Sequence, residues 1–300
     1  MHKCRIGPAV IAGIDLGGTQ ARVAVARSDG RIAATRKVHT SDLGSPEAFV
    51  AWAGRMLDQL RGTQRITSVA IGSPGPIDLK RGVLVNPPNL DGWRNVPLRS
   101  MLGEATGAAV HLENDANLAG LGEFHQGAGR GSRNLVYVTW STGVGAGLII
   151  EGRLYHGSHG TAGEVGHTIL DPDGPLCTCG QRGCLEQLAA GHGIATQAGR
   201  PAMEVFAAAG RGDPQARMIV TKAAVYMGLG LINITNVIDP DVIVIGGGIV
   251  QSWDLVQAVL RETLASSPFI KPARRPKLRR ARLGDRAGLV GAVEWARANR

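Results

Sequence analysis

Aromatic side chains are scarce in this chain of 300 residues, which has 4 Phe, 5 Trp and 3 Tyr. A surface that stacks single-stranded bases needs rings beside its cations, so the net charge of +9 argues poorly for nucleic acid. The excess is also local. Lys271, Arg274, Arg275, Lys277, Arg279, Arg280, Arg282 and Arg286, opposed by Asp285, carry +7 of it with no aromatic residue among them. The run reads as a solvated basic strand and its flanks, with a polyanion contact as the alternative.

Long unbroken apolar runs are missing too. The stretches 135–150 and 229–250 are interrupted by Ser141, Thr142, Asn233, Asn236 and Asp239, which argues against a membrane span. Pro8 to Ile14 is short, runs straight into Asp15 and lacks a small-residue cleavage pattern, so the expectation is a cytoplasmic protein with no membrane partner. Four cysteines are too few for a disulfide scaffold, and three of them, Cys177, Cys179 and Cys184, crowd into one short segment. What the chain does have is 44% hydrophobic residues and 43 glycines without low-complexity repeats. That is material for a full core, for two lobes, and for many places where backbone approaches a ligand.

Val10 to Ile14 and Ala21 to Ala26 read as strands around the turn Asp15-Leu16-Gly17-Gly18-Thr19, and Asp29-Gly30 turns into a third strand. A Ser45 cap, Pro46 and apolar residues at helical spacing predict a helix over 46–61. A buried strand, Ile66 to Ile71, should end in a loop at Ser73-Pro74-Gly75-Pro76. Helices are expected over 97–106 and 115–126, with Ala108 to Leu112 extended between them. Leu135 to Trp140 and Ala146 to Ile150 repeat the strand–turn–strand pattern around Ser141-Thr142-Gly143-Val144-Gly145, which suggests two related lobes. A Gly- and Cys-rich middle over 152–193 follows. After it come helices near 202–209 and 214–236, a strand Val242–Ile245, a helix over 252–266, a basic strand near 277–283 and a final helix over 287–299.

Gly17 and Gly18 after a strand let backbone N–H groups face a phosphate, with Thr19 adding a hydroxyl and Asp15 a carboxylate for Mg²⁺ or its water shell; a plain hairpin turn has the same glycines. Thr142 and Gly143 repeat the offer. Gly247 and Gly248, between a strand and a helix, suit a nucleotide's adenosine or a simple loop. His167 with Cys177, Cys179 and Cys184 supplies the donors of a closed tetrahedral Zn²⁺ site that would organise a loop. Glu164 and Glu186 flank those ligands and, with Asn89, Asn114 and Asp115, make a polar set suited to sugar hydroxyls. His167 is either a metal ligand alone or also a donor to the sugar through its second nitrogen. Asp115, where a strand hands over to a helix, is either a general base or the cap of the helix that follows.

In this order the motifs resemble the ROK family of sugar kinases and sugar-responsive repressors, within the actin-like ATPase superfamily. The resemblance rests on Asp15 to Thr19, Ser73 to Pro76, Asn89-Leu90, Glu113-Asn114-Asp115-Ala116-Asn117, Thr142 to Gly145, Gly163 to His167, Cys177 to Glu186 and Gly246 to Ile249. It implies an α/β, two-lobed actin-like ATPase (ribonuclease H-like) fold with a nucleotide and sugar cleft between the lobes. The first lobe is expected over 1–114, with the helix at 287–300 packing back on it, and the second over 115–286. It further implies Asp115 as catalytic base, Asn89, Asn114, Glu164, His167 and Glu186 as sugar contacts, and zinc on His167, Cys177, Cys179 and Cys184. ATP with Mg²⁺ is the implied donor, and a homodimer the implied assembly. Repressors of the family carry a helix-turn-helix domain before the phosphate turn, for which the residues before Asp15 leave no room, so a kinase is expected. The span from Glu164 to Glu186 is most similar to the glucokinase branch, which points to the 6-hydroxyl of glucose. Another hexose, an N-acetylhexosamine, polyphosphate as donor, or a non-catalytic sugar sensor stand as alternatives.

Overall fold

The computed structural model describes residues 9–300; the first eight, which open the expected first lobe and include Pro8, lie outside it. The described chain forms two compact units, one running through Gly127 and completed by Asp285–Arg300, the other spanning Ala128–Gly284.

In the first unit β1 (Val10–Leu16), β2 (Gln20–Ala26) and β3 (Ile32–His39) form an antiparallel meander. Helix α1 (Pro46–Arg61) leads to β4 (Ile66–Ser73), which lies parallel to β1. A small hairpin, β5 (Ile77–Asp78) and β6 (Val83–Leu84), and helix α2 (Leu98–Thr106) then lead to β7 (Ala109–Asn114), parallel to β4. The sheet order is β3-β2-β1-β4-β7. Helix α1 starts because Ser45 Oγ accepts the Ala48 N–H at 3.2 Å and Pro46 occupies the first turn. Alternate residues of β1, Val10, Ala12, Ile14 and Leu16, bury themselves in the core that Phe49, Trp52 and Leu57 of α1 share. Residues of the opposite parity, Gly13 and Asp15, face helix α9 (Ala287–Ala298).

Helix α3 (Asp115–Gln126) lies against α9. The seam expected before Asp115 therefore falls after Gly127, and α3 belongs to the first unit with α9. Their approach is close enough that a Cβ on Gly291 would strike the Leu118 carbonyl, and one on Gly122 the Ala287 carbonyl.

The second unit has the same trace. Strands β8 (Leu135–Trp140), β9 (Val144–Ile150) and β10 (Arg153–Leu154) form a meander. Helices α4 (Leu185–Ala189), α5 (Gly191–Ala198), α6 (Ala202–Gly210) and α7 (Pro214–Ile238) precede β11 (Val242–Gly246), which is parallel to β8. After α8 (Trp253–Ser266), β12 (Lys277–Arg280) lies parallel to β11, giving the order β10-β9-β8-β11-β12. Helix α7 is long and apolar enough to cross a membrane, yet Ile219, Val220, Ala223, Met227 and Leu231 are buried in the core of this unit, as in a core helix.

Four expectations need correction. Asp15 is a strand residue paired with Arg22, since the β1–β2 ladder continues to Leu16 and Ala21. Ser73 likewise ends β4 instead of starting a loop, because its backbone pairs with Asn114. The middle segment holds α4 and α5, and the basic strand stops at Arg280.

Gly291→Ala is expected to lower the unfolding free energy by about 1–3 kcal/mol through overpacking against α3. Gly210→Ala, at a helix end with open space around it, should be neutral or mildly stabilising. Urea denaturation of both variants checks the contrast, and equal effects would contradict the packing argument.

Candidate active site

The strand-to-helix corner at the end of β7 is built by its own polar groups. Asn114 caps α3, its Oδ1 accepting the Ala116 N–H at 2.9 Å and the Asn117 N–H at 3.3 Å. Glu113 is buried, and its Oε1 accepts the Asn114 N–H and the Asn117 side-chain amide, both at 2.8 Å. The cap is thus Asn114, not Asp115. Asp115 occupies the first helical position, where one carboxylate oxygen accepts the Ala116 N–H at 2.8 Å. Negative charge is favoured there by the helix dipole. Because the Asn114 Oδ1 is spent on the cap, only its amide nitrogen is left for a sugar, and this nitrogen lies beside the Gly75 turn.

Asp15 and Asp115 are close enough to repel. Burial raises the Asp15 carboxyl to about 6, with Arg22 opposing the shift and the Asp115 charge adding to it. Arg22 donates to Asp15 Oδ2 at 3.2 Å, to Gln20 at 2.8 Å and to Asp285 at 3.1 Å. A partly desolvated carboxylate beside a second one is a natural seat for a divalent cation, which would offset both charges.

In the neighbouring turn, Thr40 Oγ1 donates to the Gly17 carbonyl at 2.7 Å and Thr40 N–H to the Thr19 carbonyl at 2.9 Å. The Gly18 and Thr19 amides have no partner among the described residues. Gly18 admits the loop that carries Asn89: a Cβ there would sit 2.9 Å from the Asn89 Cβ. Asp15, Gly18, Asn89, Asn114 and Asp115 are thereby placed in one unit.

In the second unit, Thr142 and Gly143 form the β8–β9 turn. Glu186, on α4, accepts the Val144 N–H at 2.8 Å, and a Cβ on Gly143 would lie 2.6 Å from that same oxygen. One carboxylate oxygen expected to face a sugar is therefore committed to the turn. Gly247, at φ +88°, packs on the Trp140 backbone, and a Cβ on Gly248 would be 3.3 Å from Ser141 Oγ. Glu164 is exposed and opens the single turn Val165–His167. Gly166, inside that turn, packs on the Val144 carbonyl and the Glu186 side chain.

The donor atoms of His167, Cys177, Cys179 and Cys184 all lie within 4.8 Å of one another. His167 Nδ1 is 3.9 Å from Cys177 Sγ, and the sulfurs of Cys179 and Cys184 are 3.6 Å apart. Ligand atoms around a tetrahedral zinc stand about 3.8 Å apart given Zn–S near 2.3 Å, so the set fits such an ion. Burial and the adjacent sulfurs push the Cys184 thiol up to about 12, so this sulfur calls for a cation to become thiolate, whereas the Gln181 backbone N–H lowers the Cys179 thiol. With Nδ1 facing the cluster, Nε2 is the ring nitrogen left for another partner.

Arg22, Thr40 and His192 were not legible as site residues. Arg22 shares its strand with alternating apolar residues, and Thr40 and His192 reach the turns only through the folded chain.

The model of the ROK family matches residues 11–299. The Halalkalibacterium halodurans glucokinase is 33% identical, covering 93% of this chain and 92% of its own. The N-acetylmannosamine kinase of Citrobacter koseri is 35% identical, covering 96% and 98%. Among solved structures, the ROK hexokinase from Thermus thermophilus has a TM-score of 0.85 at 38% identity, covering 97% of this chain and 98% of that one. A ROK glucokinase from Streptomyces griseus, in complex with glucose and AMPPNP, has a TM-score of 0.78 at 33% identity, covering 96% and 99%. Two units repeating one sheet order, together with the likeness to these structures, define the actin-like class of ATP-dependent kinases. The chain belongs to the ROK family, as an ATP-dependent sugar kinase.

The Asp15 carboxyl has a direct consequence for stability. Its folded value near 6 exceeds the ordinary 3.8, so the folded state binds the proton more tightly. Its favourable contribution is complete below about pH 4 and is lost as pH rises through 6. In magnesium-free buffer Asp15→Asn should therefore gain on the wild type between these limits, by at most about 3 kcal/mol. Urea denaturation at pH 4.5 and 7.5 measures it; a difference independent of pH would refute the assignment.

Proposed function

We propose that this kinase transfers the γ-phosphoryl group of ATP to the 6-hydroxyl of glucose, with Asp115 accepting the hydroxyl proton. The observation that carries the reading is the corner at Asn114, which takes over the capping duty and leaves Asp115 at the positive end of α3. A carboxylate there can orient the attacking hydroxyl, the main demand in a transfer governed by positioning and charge. The Gly17–Thr19 and Thr142–Gly143 turns would hold the phosphates by their amides, and Gly247 and Gly248 would border the adenosine. Asp15 would hold Mg²⁺ or its water shell; bound magnesium neutralises charge on the transferring group. Asn89, Asn114, Glu164, His167 and Glu186 would contact the sugar. Water is the competing acceptor, so the bound pair has to be shielded from it.

We further propose zinc on His167, Cys177, Cys179 and Cys184, with no open coordination position, as an organiser of the loop between Glu164 and Glu186. Glucose is preferred because glucokinases and a hexokinase stand among the similar proteins. N-acetylmannosamine is the second reading, favoured by the 35% identity to a kinase of that name. A cytoplasmic homodimer is the setting that fits the reading.

A coupled ADP-release assay with ATP across glucose, mannose, fructose, N-acetylglucosamine and N-acetylmannosamine decides the acceptor. Glucose should give the highest kcat/KM, and any other preferred sugar overturns that choice. Asp115→Asn should lower kcat by about 10²- to 10⁴-fold while sugar binding by calorimetry is retained; near-normal turnover would remove Asp115 from the role of base. Metal analysis after exhaustive dialysis should return about one zinc per chain. Cys184→Ser should lose it and raise the hexose KM, and a metal-free wild type of full activity would disprove the site.

A further inference from the structure

The β8–β9 turn is held by one short stretch of chain beyond the cysteine cluster. Gly191 N–H donates to the Ser141 carbonyl at 2.8 Å. The Thr142 carbonyl is bound twice by His192, by its backbone N–H at 3.1 Å and by its ring Nδ1 at 2.8 Å. Ring Nε2 lies 3.0 Å from the end of the Gln187 side chain, whose amide N–H₂ is the group able to donate to it once Nδ1 carries the proton, and this contact fixes the plane of the imidazole. The amides of Thr142 and Gly143 have no partner among the described residues.

A trans peptide points its C=O and N–H in opposite directions. Holding the Ser141 carbonyl toward α5 therefore sends the Thr142 amide away from it, and holding the Thr142 carbonyl does the same for the Gly143 amide. Were the Thr142 peptide to flip, an oxygen would replace an N–H at the face where an anion is to sit. Of the two bonds the ring supplies the shorter tether, 2.8 Å against 3.1 Å. Thr40 holds the Gly17 and Thr19 carbonyls of the first unit's turn with the same pairing of one backbone and one side-chain donor.

We infer that His192 is a positioning residue for nucleotide binding, its imidazole locking the Thr142 peptide so that the turn offers amides, not a carbonyl, to the nucleotide's phosphates. The inference rests on the kinase reading of that turn. A purely structural histidine joining α4 to α5 would affect both substrates alike, whereas a lock on this peptide is felt by the nucleotide.

The test uses the full-length, metal-replete protein, with MgADP titrated by calorimetry and KM measured for ATP and for the preferred hexose. His192→Ala should weaken MgADP binding and raise the ATP KM by about 3- to 10-fold, the loss of one hydrogen bond, while the hexose KM changes by less than about 2-fold. His192→Leu, which fills the space without a donor, should match it, and His192→Gln, which retains an N–H donor, should recover part of the affinity. If the alanine variant does not fold, the leucine and glutamine variants decide the question by the same contrast. Unchanged nucleotide affinity, or hexose and ATP constants rising together, overturns the inference while leaving the kinase intact. A wild type that neither binds MgADP nor phosphorylates a sugar overturns the kinase reading and this inference with it.

Discussion

A backbone amide can hold an anion only when the fold has not already used it, and the chain meets this constraint by filling carbonyls. At the Gly17–Thr19 turn, Thr40 binds two carbonyls, and at the Ser141–Gly143 turn, Gly191 and His192 bind two more. The Gly18, Thr142 and Gly143 amides, on the other side of the Gly17, Ser141 and Thr142 carbonyls, have no partner among the described residues. The geometry of each turn therefore depends on an element that follows its meander. The glycines serve the same end indirectly. Gly18 lets the Asn89 loop approach, and Gly143 makes room for Glu186.

Four carboxylates near the turns, those of Glu113, Asp15, Asp115 and Glu186, each accept from a neighbouring donor. Glu113 is buried and accepts two N–H groups, which fixes the corner before Asp115. Asp15 meets Arg22, which also reaches Asp285 at the entry to α9. Asp115 is then stationed at a helix start by neighbours that take the capping and anchoring duties. Glu186 bridges two duties, one oxygen on the β9 amide and the rest of the carboxylate beyond it.

Elements with strong local signals were legible in the sequence. Ser45 and Pro46 announce α1, and α3 begins at Asp115 as its polar start suggests. The metal-type cluster is written in the spacing of Cys177, Cys179 and Cys184, because the donors lie on one short loop with His167 nearby. Helices α4 and α5 were hidden, since Gly191, Gly193 and Gly199 dilute the helical pattern and packing against α7 and α6 supplies what propensity does not. The seam after Gly127 was equally illegible, because it depends on how closely α3 meets a helix more than 150 residues further along the chain. Asn114 shows the limit most clearly: composition marks it as polar and functional, and only the geometry reveals that its oxygen is occupied by the helix it starts.

Both sheets follow one itinerary, three strands back and forth and then two parallel additions on the far side. In the first unit the passage from third to fourth strand is a single helix, whereas in the second it houses the cysteine knuckle and helices α4 to α7. Glu164, Glu186 and the metal-type cluster thus occupy a detour between the third and fourth strands of the second sheet. Such a detour can be lengthened or rewritten without disturbing the strands on either side, since it leaves and rejoins the sheet at its own ends.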